Sequence, residues 1–456
     1  MSKSKLFFYG GVGAVTGSNF LLEMPEVGKI LIDCGLFQGG GSAYEKNHEA
    51  FPYSPEKIDV LLVTHAHIDH IGRIPKLVKD GFQGKIFSTP QTRQIASIMF
   101  DDALKIMEED TKRHGGGQTM YGRDDISKTL SQWKTKKYHE VFEVFPSVKT
   151  EFLDAGHILG SAMIKITRND RSITFSGDIG NSPSPIVRDS EKISNTHYLV
   201  LDSTYGDRTH QTREVAEQKF VDIVTRVIRE RGTLLIPAFS LERAHIILYI
   251  LNDLVENGKI ESVPVFLDSP MASRLTPIYQ ASRDILNTEV RAKMDNGDDI
   301  FSFPRLRVVA NNLESGSIEK ISNPKIIIAG SGMSVGGRIP AHEINLLPDP
   351  LTTLLVTGYQ SSGTLGRAIS EGEKAVIINK QKVTVRARIE NIEGFSAHKD
   401  LPALVEFVEN SAVTLEKVFI VHGELKSSLF LVQRIRDYLG LDALCPERAK
   451  EYEINI

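Results

Sequence analysis

His65, His67, Asp69 and His70 fall within six positions in Thr64-His65-Ala66-His67-Ile68-Asp69-His70, immediately after the apolar run Ile58 to Val63. In an extended segment, alternate spacing points His65 and His67 to one side, and a turn through Ile68 to His70 lets Asp69 and His70 face a second point. Any one of these residues alone reads as part of a polar turn. Three imidazoles and a carboxylate crowded together would repel or go unsatisfied without an ion. Neutral imidazoles with a carboxylate suit zinc, and a pair of ions about 3.5 to 4 Å apart is the usual arrangement for hydrolysing a phosphodiester. The run by itself specifies a metal hydrolase.

More ligands are needed, and candidates stand at the ends of predicted strands. His157 follows Glu151 to Ala155, Asp178 follows Ile173 to Phe175, and His422 follows Val418 to Val421. A lone glycine-flanked Asp or His is usually a turn residue or a satisfied core group, so the argument rests on the repetition.

The elements that must hold these residues are short β-rich runs at Lys29 to Ile32, Ile58 to Val63, Lys85 to Ser88, Ala162 to Thr167, Ser172 to Phe175 and Tyr198 to Leu201. Ile95, Ile98, Met99, Ala103, Ile106 and Met107 have helical spacing, followed by a glycine-containing stretch at Gly115 to Gly117 that reads as a mobile loop. After Arg208 helix and strand alternate regularly. A helical face at Phe220, Ile223, Val224, Val227 and Ile228 leads into a strand at Thr233 to Ile236. Ser240 is placed to cap a helix running from Ala244 to Val255, ahead of a strand at Val263 to Leu267. Strands at Lys325 to Ala329 and Thr352 to Thr357 complete a βα unit with a largely parallel sheet. Beyond Ala368, strands return at Ala375 to Ile378, Val383 to Ile389 and Lys417 to Val421, with helices at Leu401 to Glu409 and Ser427 to Tyr438. A β-rich unit interrupted by an α/β unit and then resumed is expected, with parts at 1–207, 208–367 and 368–456.

The sequence resembles the β-CASP nucleases of the metallo-β-lactamase fold, the group of the cleavage and polyadenylation specificity factor nuclease and its microbial relatives. The motifs are Thr16-Gly17-Ser18, Asp33-Cys34-Gly35, the histidine run, His157, Asp178, Asp202-Ser203-Thr204-Tyr205-Gly206, Pro237-Ala238-Phe239 and Gly330-Ser331-Gly332-Met333. They continue through Gly358-Tyr359-Gln360, Gly363-Thr364-Leu365-Gly366-Arg367, Phe395-Ser396-Ala397-His398 and Val421-His422-Gly423. The resemblance implies an α/β fold, the metallo-β-lactamase αββα sandwich with an inserted β-CASP α/β domain. It implies two zinc ions per chain, one held by His65, His67 and His157, the other by Asp69, His70 and His422, with Asp178 bridging and Asp33 orienting the ligands. The expected reaction is RNA phosphodiester hydrolysis by a bridging hydroxide, with His398, paired to Asp202, protonating the departing alkoxide.

Loops of the inserted unit are rich in glycine and hydroxyls, and such loops expose backbone N–H groups to anions. Ser331, Gly332, Ser361, Gly363 and Thr364, with Arg243 and Arg367, are the candidate contacts to the RNA backbone, and Arg338 is a further arginine able to pair with phosphate. A net charge of −4 argues against binding by bulk electrostatics, so RNA contacts must be local. Single-stranded RNA is the expected partner, with endonuclease and 5′-exonuclease action sharing one chemistry. The competing functions are a DNA nuclease of the Artemis type, which departs from a histidine at the position of His422, and a scaffold subunit that has lost its ligands. The retained histidine and the complete ligand set favour RNA cleavage.

At 456 residues, 41% hydrophobic and 25% charged, the chain fits a compact two-domain soluble protein without a long C-terminal extension of the RNase J kind or an added N-terminal RNA-binding module. Leu6 to Gly13 is too short and glycine-broken for a signal peptide, and only Cys34 and Cys445 are present, which fits a reducing cytoplasm and no membrane partner. A homodimer is a family-level expectation, with the closing Glu451 to Ile456 as a candidate strand for it.

Overall fold

The computed structural model of the chain describes residues 3–39, 42–113, 118–358, 360–361, 363–392 and 394–456. The loop expected at Gly115 to Gly117, and Tyr359 of the motif Gly358-Tyr359-Gln360, lie outside the described residues. The chain divides into two compact units, Met1–Thr209 with Ala397–Ile456, and His210–Ser396.

The first unit is built on two seven-stranded sheets. One runs, edge to edge, Glu451–Ile454, Ser4–Gly10, Asn19–Met24, Gly28–Ile32, Val60–Leu62, Lys85–Ser88 and Trp133–Thr135. The other runs Ala443–Leu444, Lys417–Val421, Tyr198–Asp202, Arg171–Phe175, Ala162–Arg168, Val148–Asp154 and Phe142–Phe145. Ser4–Gly10 shows why they stack: burial alternates strictly along it, so Leu6 and Phe8 face inward. They meet Phe20, Ile30 and Ile32 of their own sheet and Phe152, Ile164, Phe175 and Phe419 of the other in one dry core. The outer face of the second sheet, carrying Leu199, Leu201, Val418 and Ile420, is covered by Leu404 and Phe407 of helix Leu401–Glu409 and by Leu431 and Ile435 of helix Leu425–Leu439. The closing residues do form a strand, as expected, but its partner is Ser4–Gly10 of the same chain.

The second unit carries a six-stranded sheet in the order Leu306–Val308, Val265–Asp268, Lys325–Ala329, Thr233–Pro237, Thr352–Val356, Arg388–Asn391, and every pairing in it is parallel. Three expectations are corrected here. The single strand expected at Val383 to Ile389 is two. Gln381–Thr384 folds back on Ala375–Ile378 through Asn379 and Lys380, both in the left-handed region, as a tight two-residue hairpin requires. Arg388–Asn391 then joins the parallel sheet beside Thr352–Val356. Residues 368–396 therefore belong to the inserted unit, and the division falls at 396/397 where 367/368 was expected. Ser240 is also not a helix cap. The helix is Arg243–Glu256, and the Ser240 hydroxyl is hydrogen-bonded to that of Ser269 at 2.8 Å. Among the described residues no helix is long and apolar enough to cross a membrane.

Candidate metal centre

Every candidate ligand follows a strand of the first unit. His65 and His67 come after Val60–Leu62, Asp69 and His70 sit on the single helical turn Ile68–Ile71, His157 follows Val148–Asp154, Asp178 follows Arg171–Phe175, and His422 follows Lys417–Val421. The turn packs closely enough that Gly35 admits no side chain: a Cβ there would lie 1.5 Å from the Asp69 carbonyl oxygen. Asp33 begins the same tight segment, and its carboxylate accepts from the Thr64 amide at 2.8 Å and the Thr64 hydroxyl at 2.7 Å.

The side chains converge in two groups. In the first, His65 Nε2 lies 3.0 Å from His67 Nδ1, and His67 Nδ1 lies 3.1 Å from His157 Nε2. Asp178 Oδ2 is 3.3 Å from His65 Nε2 and 3.5 Å from His157 Nε2. In the second, Asp178 Oδ1 is 3.1 Å from His70 Nε2 and 3.5 Å from His422 Nε2, which stands 3.6 Å from Asp69 Oδ2. Ligand atoms on a tetrahedral zinc with bonds of about 2.0–2.1 Å are separated by roughly 3.3 Å. Both groups have that spacing, and the fully buried Asp178 Oδ1 makes no hydrogen bond. The donor set therefore fits two zinc ions.

Burial pushes the imidazoles of His65, His67 and His157 well below the ordinary histidine range, which leaves their ring lone pairs free to bind an ion. Burial opposes charge on His70 too, yet Asp178 and Asp33 together hold it well above the usual value. Burial likewise works against the Asp178 carboxylate, but His422, His70 and His65 keep it well below the ordinary carboxylate range.

For four of the five histidines the second ring nitrogen is held. His70 Nδ1 donates to Asp33 Oδ2 at 2.7 Å, the contact that the orienting role of Asp33 requires. His157 Nδ1 donates to the Ala397 carbonyl at 3.1 Å, His65 Nδ1 lies 3.0 Å from the Thr64 hydroxyl, and His422 Nδ1 lies 2.8 Å from the Ser18 hydroxyl. Ser18 and Thr64 have no role legible in the sequence, because a hydroxyl on a loop carries no signal until the fold shows which ring it meets.

His398 and Asp202 also come together. His398 Nδ1 is 2.9 Å from Asp202 Oδ2, and Nε2 faces Asp178 Oδ2 at 3.9 Å. Asp202 Oδ1 accepts from the Thr204 amide at 2.8 Å and hydroxyl at 2.7 Å, so the carboxylate cannot swing away. Burial lowers the affinity of His398 for a proton, but the charge and hydrogen bond of Asp202 outweigh it and raise the imidazole above its ordinary value.

Three family models match: the metallo-beta-lactamase superfamily over residues 12–86, the Beta-Casp domain over 244–369, and the Zn-dependent metallo-hydrolase RNA specificity domain over 382–446. A ribonuclease of Thermus thermophilus is 33% identical over 423 residues, 93% of this chain and 94% of that protein. The chain belongs to the β-CASP family of metallo-β-lactamase-fold hydrolases.

Other β-CASP relatives include an RNase J-like protein of Methanocaldococcus jannaschii, 30% identical over 97% of this chain and 98% of that one. The transcription termination factor FttA of Pyrococcus abyssi is 30% identical over 97% of this chain and 71% of its own length. A crystal structure of a protein of unknown function from Enterococcus faecalis shares the fold, with a TM-score of 0.55 at 10% identity over 99% of this chain and all of that one. As a β-CASP protein the chain is a zinc-dependent metallo-hydrolase.

In the β-CASP unit the expected RNA-contacting loops do gather at the carboxyl ends of the parallel strands, but many of their polar groups are already engaged. The Ser331 hydroxyl donates to the Val335 carbonyl at 2.6 Å, and the Gly332 carbonyl accepts from Gln360 Nε2 at 2.9 Å. The Ser361 carbonyl accepts from the Thr364 hydroxyl at 2.7 Å, and Thr364 also caps the helix Leu365–Ser370. Gly363 turns in the left-handed region. Arg367 pairs with Glu371 at 2.6 Å, Arg243 is buried, and Arg338 is spent on the buried Asp268. Arg338 is thus a structural cation where phosphate pairing was expected.

Proposed function

We propose that this β-CASP protein cleaves RNA phosphodiester bonds, with His65, His67 and His157 holding one zinc ion, Asp69, His70 and His422 the other, and Asp178 shared between them. The observation that carries this reading is the position of Asp178, whose two carboxylate oxygens each face a different group of imidazoles at 3.1–3.5 Å. Bound zinc supplies a nucleophilic water at neutral pH and positive charge for the phosphate oxygens. The chain's own residues do the rest. Asp33, Ser18, Thr64 and the Ala397 carbonyl keep the ligand rings aimed, and the raised proton affinity of His398 keeps an acid beside Asp178 for the departing 3′ oxygen. Asp202 orients that acid and holds its charge.

Single-stranded RNA is the substrate this reading requires, with Ser331, Gly332, Ser361, Gly363, Thr364 and Arg367 as backbone contacts. For Ser331 and Arg367 this needs their present partners to yield. Two free cysteines fit a cytoplasmic site of action. The homodimer rests on the family alone, since the closing strand is paired within the chain.

The test incubates pure protein with linear and circular forms of one single-stranded RNA, with and without chelator, beside Asp69→Ala. The reading expects chelator-sensitive cutting that Asp69→Ala abolishes, and cutting of the circle establishes endonuclease action. It is wrong if neither RNA is cut by zinc-loaded protein, or if the variant cuts equally well.

A further inference from the structure

The ligand rings differ in what orients them. His70 leans on a carboxylate and His157 on a backbone carbonyl. His422 has neither. Its backbone sits in the left-handed region, at φ of 52°, off the end of Lys417–Val421, so the direction of the preceding strand does not set where the ring points. Its amide donates to the Gly11 carbonyl at 2.6 Å, and its ring Nδ1 meets the hydroxyl of Ser18 at 2.8 Å.

Ser18 is fully buried and stands between the two imidazoles of the second group, with His70 Nε2 3.5 Å away. Its main chain is anchored on both sides: its amide donates to the Asp69 carbonyl at 2.9 Å, and its carbonyl accepts from the Gly35 amide at 3.0 Å. One residue thus touches the backbone of Asp69 and the ring of His422, two ligands more than 350 positions apart in the sequence.

Proton bookkeeping gives the direction of the bond. His422 Nε2 faces Asp69 Oδ2 and Asp178 Oδ1, so its lone pair is the one available to an ion and the ring proton must sit on Nδ1. Nδ1 then donates, and the Ser18 oxygen accepts. Without that acceptor the ring loses both its preferred tautomer and its fixed rotation.

We propose that Ser18 is the positioning residue of the second zinc site, setting the tautomer and aim of His422 and thereby the affinity of that site alone. This rests on the ligand assignment above. The experiment titrates zinc into metal-free wild-type protein, Ser18→Ala, Ser18→Thr and His422→Ala, following binding with a competing chromophoric chelator, and repeats the titration with cobalt to read the visible absorption of each site. Wild type is expected to bind two ions. Ser18→Ala should keep one site at wild-type affinity and weaken the other by roughly 10–100-fold, with altered cobalt bands for that site only. Ser18→Thr, which retains the hydroxyl, should recover most of the loss.

If Ser18→Ala binds both ions as wild type does, the inference is overturned while the ligand assignment stands. It is also overturned if both sites weaken together with a lower melting temperature of the metal-free protein, since that marks a packing role. If His422→Ala still binds two ions with unchanged affinity, the ligand assignment itself fails.

Discussion

Asp178 and Asp268 are both buried carboxylates at the carboxyl end of a strand, one in each unit of the molecule. Asp178 has an oxygen without a hydrogen bond, surrounded by imidazole nitrogens aimed at a common point. Both oxygens of Asp268 are occupied, one by the Arg338 guanidinium, the other by the Ser315 hydroxyl and by His342 Nε2 at 2.7 Å. Burial works against charge on Asp268, yet His342, Ser315 and Arg338 keep it below the ordinary carboxylate range. A buried carboxylate whose oxygens are both taken by donors is structural, whereas one that leaves an oxygen open among converging imidazole nitrogens is built for an ion. The same residue types serve both purposes, and what separates them is whether the carboxylate's two oxygens are both taken.

Substitutions at the two aspartates give the sharpest way to break this comparison. Asp178→Ala should abolish retention of zinc at both sites and lower RNA cleavage by ~10⁴-fold or more, read by elemental analysis and by cleavage rate. Retention of two zinc ions by this variant would remove the distinction drawn above. Next in size is the acid. His398→Ala should lower kcat by roughly 10²–10³-fold while zinc content stays at two. The proton must be present for the step, so activity should fall as pH rises through the raised value of His398. Asp202→Asn removes the charge that raises it and should bring that basic limb to lower pH, which a pH–rate profile checks.

In the β-CASP unit the effects should appear as stability. Asp268→Ala leaves Arg338 and His342 without their buried partner and should cost about 3–5 kcal/mol in denaturant melts, with zinc stoichiometry untouched. Glu343, fully buried and held by the Ser334 hydroxyl, is pushed by burial up to about 8. The unfolded chain releases that proton near 4.5, so the native state holds an extra proton between about 4.5 and 8 and loses stability as pH rises through that window. Glu343→Gln cannot ionise. It should melt like wild type at pH 4 to 5 and be more stable by roughly 1–3 kcal/mol at pH 8 to 9. The smallest effect belongs to Arg367, whose pair with Glu371 is solvent-exposed. Arg367→Ala should change stability by less than ~0.5 kcal/mol, and if the arginine reaches phosphate it should weaken RNA binding a few-fold and reduce its salt dependence by about one contact.

Several elements were legible because a local pattern sufficed. Lys85–Ser88, Lys325–Ala329, Ala375–Ile378 and Leu401–Glu409 form over the ranges their apolar runs indicated. The strand expected at Val383 to Ile389 is in fact two, because a β-prone run does not show which sheet each half joins, and Arg388–Asn391 pairs with Thr352–Val356, 35 positions earlier. The boundary error at 367/368 follows from the same cause. Arg338 looked like a phosphate ligand because nothing in the sequence places Asp268, 70 positions before it, against its guanidinium.

The histidine run, with its spacing of two, four and five from His65, by itself pointed to a metal hydrolase, because three imidazoles and a carboxylate crowded together repel or go unsatisfied without an ion. Resemblance at separated motifs extended that to a family and a ligand set. The tertiary structure supplied the contacts behind the expected roles of Asp178 and Asp33, and it alone decided that Thr64, Ala397 and Ser18 hold the rings and that Asp268 has no site to offer. The physical reason is that a spacing in sequence fixes which side of one strand a residue can face, while coordination depends on distances between strands, which are set by how the two sheets pack.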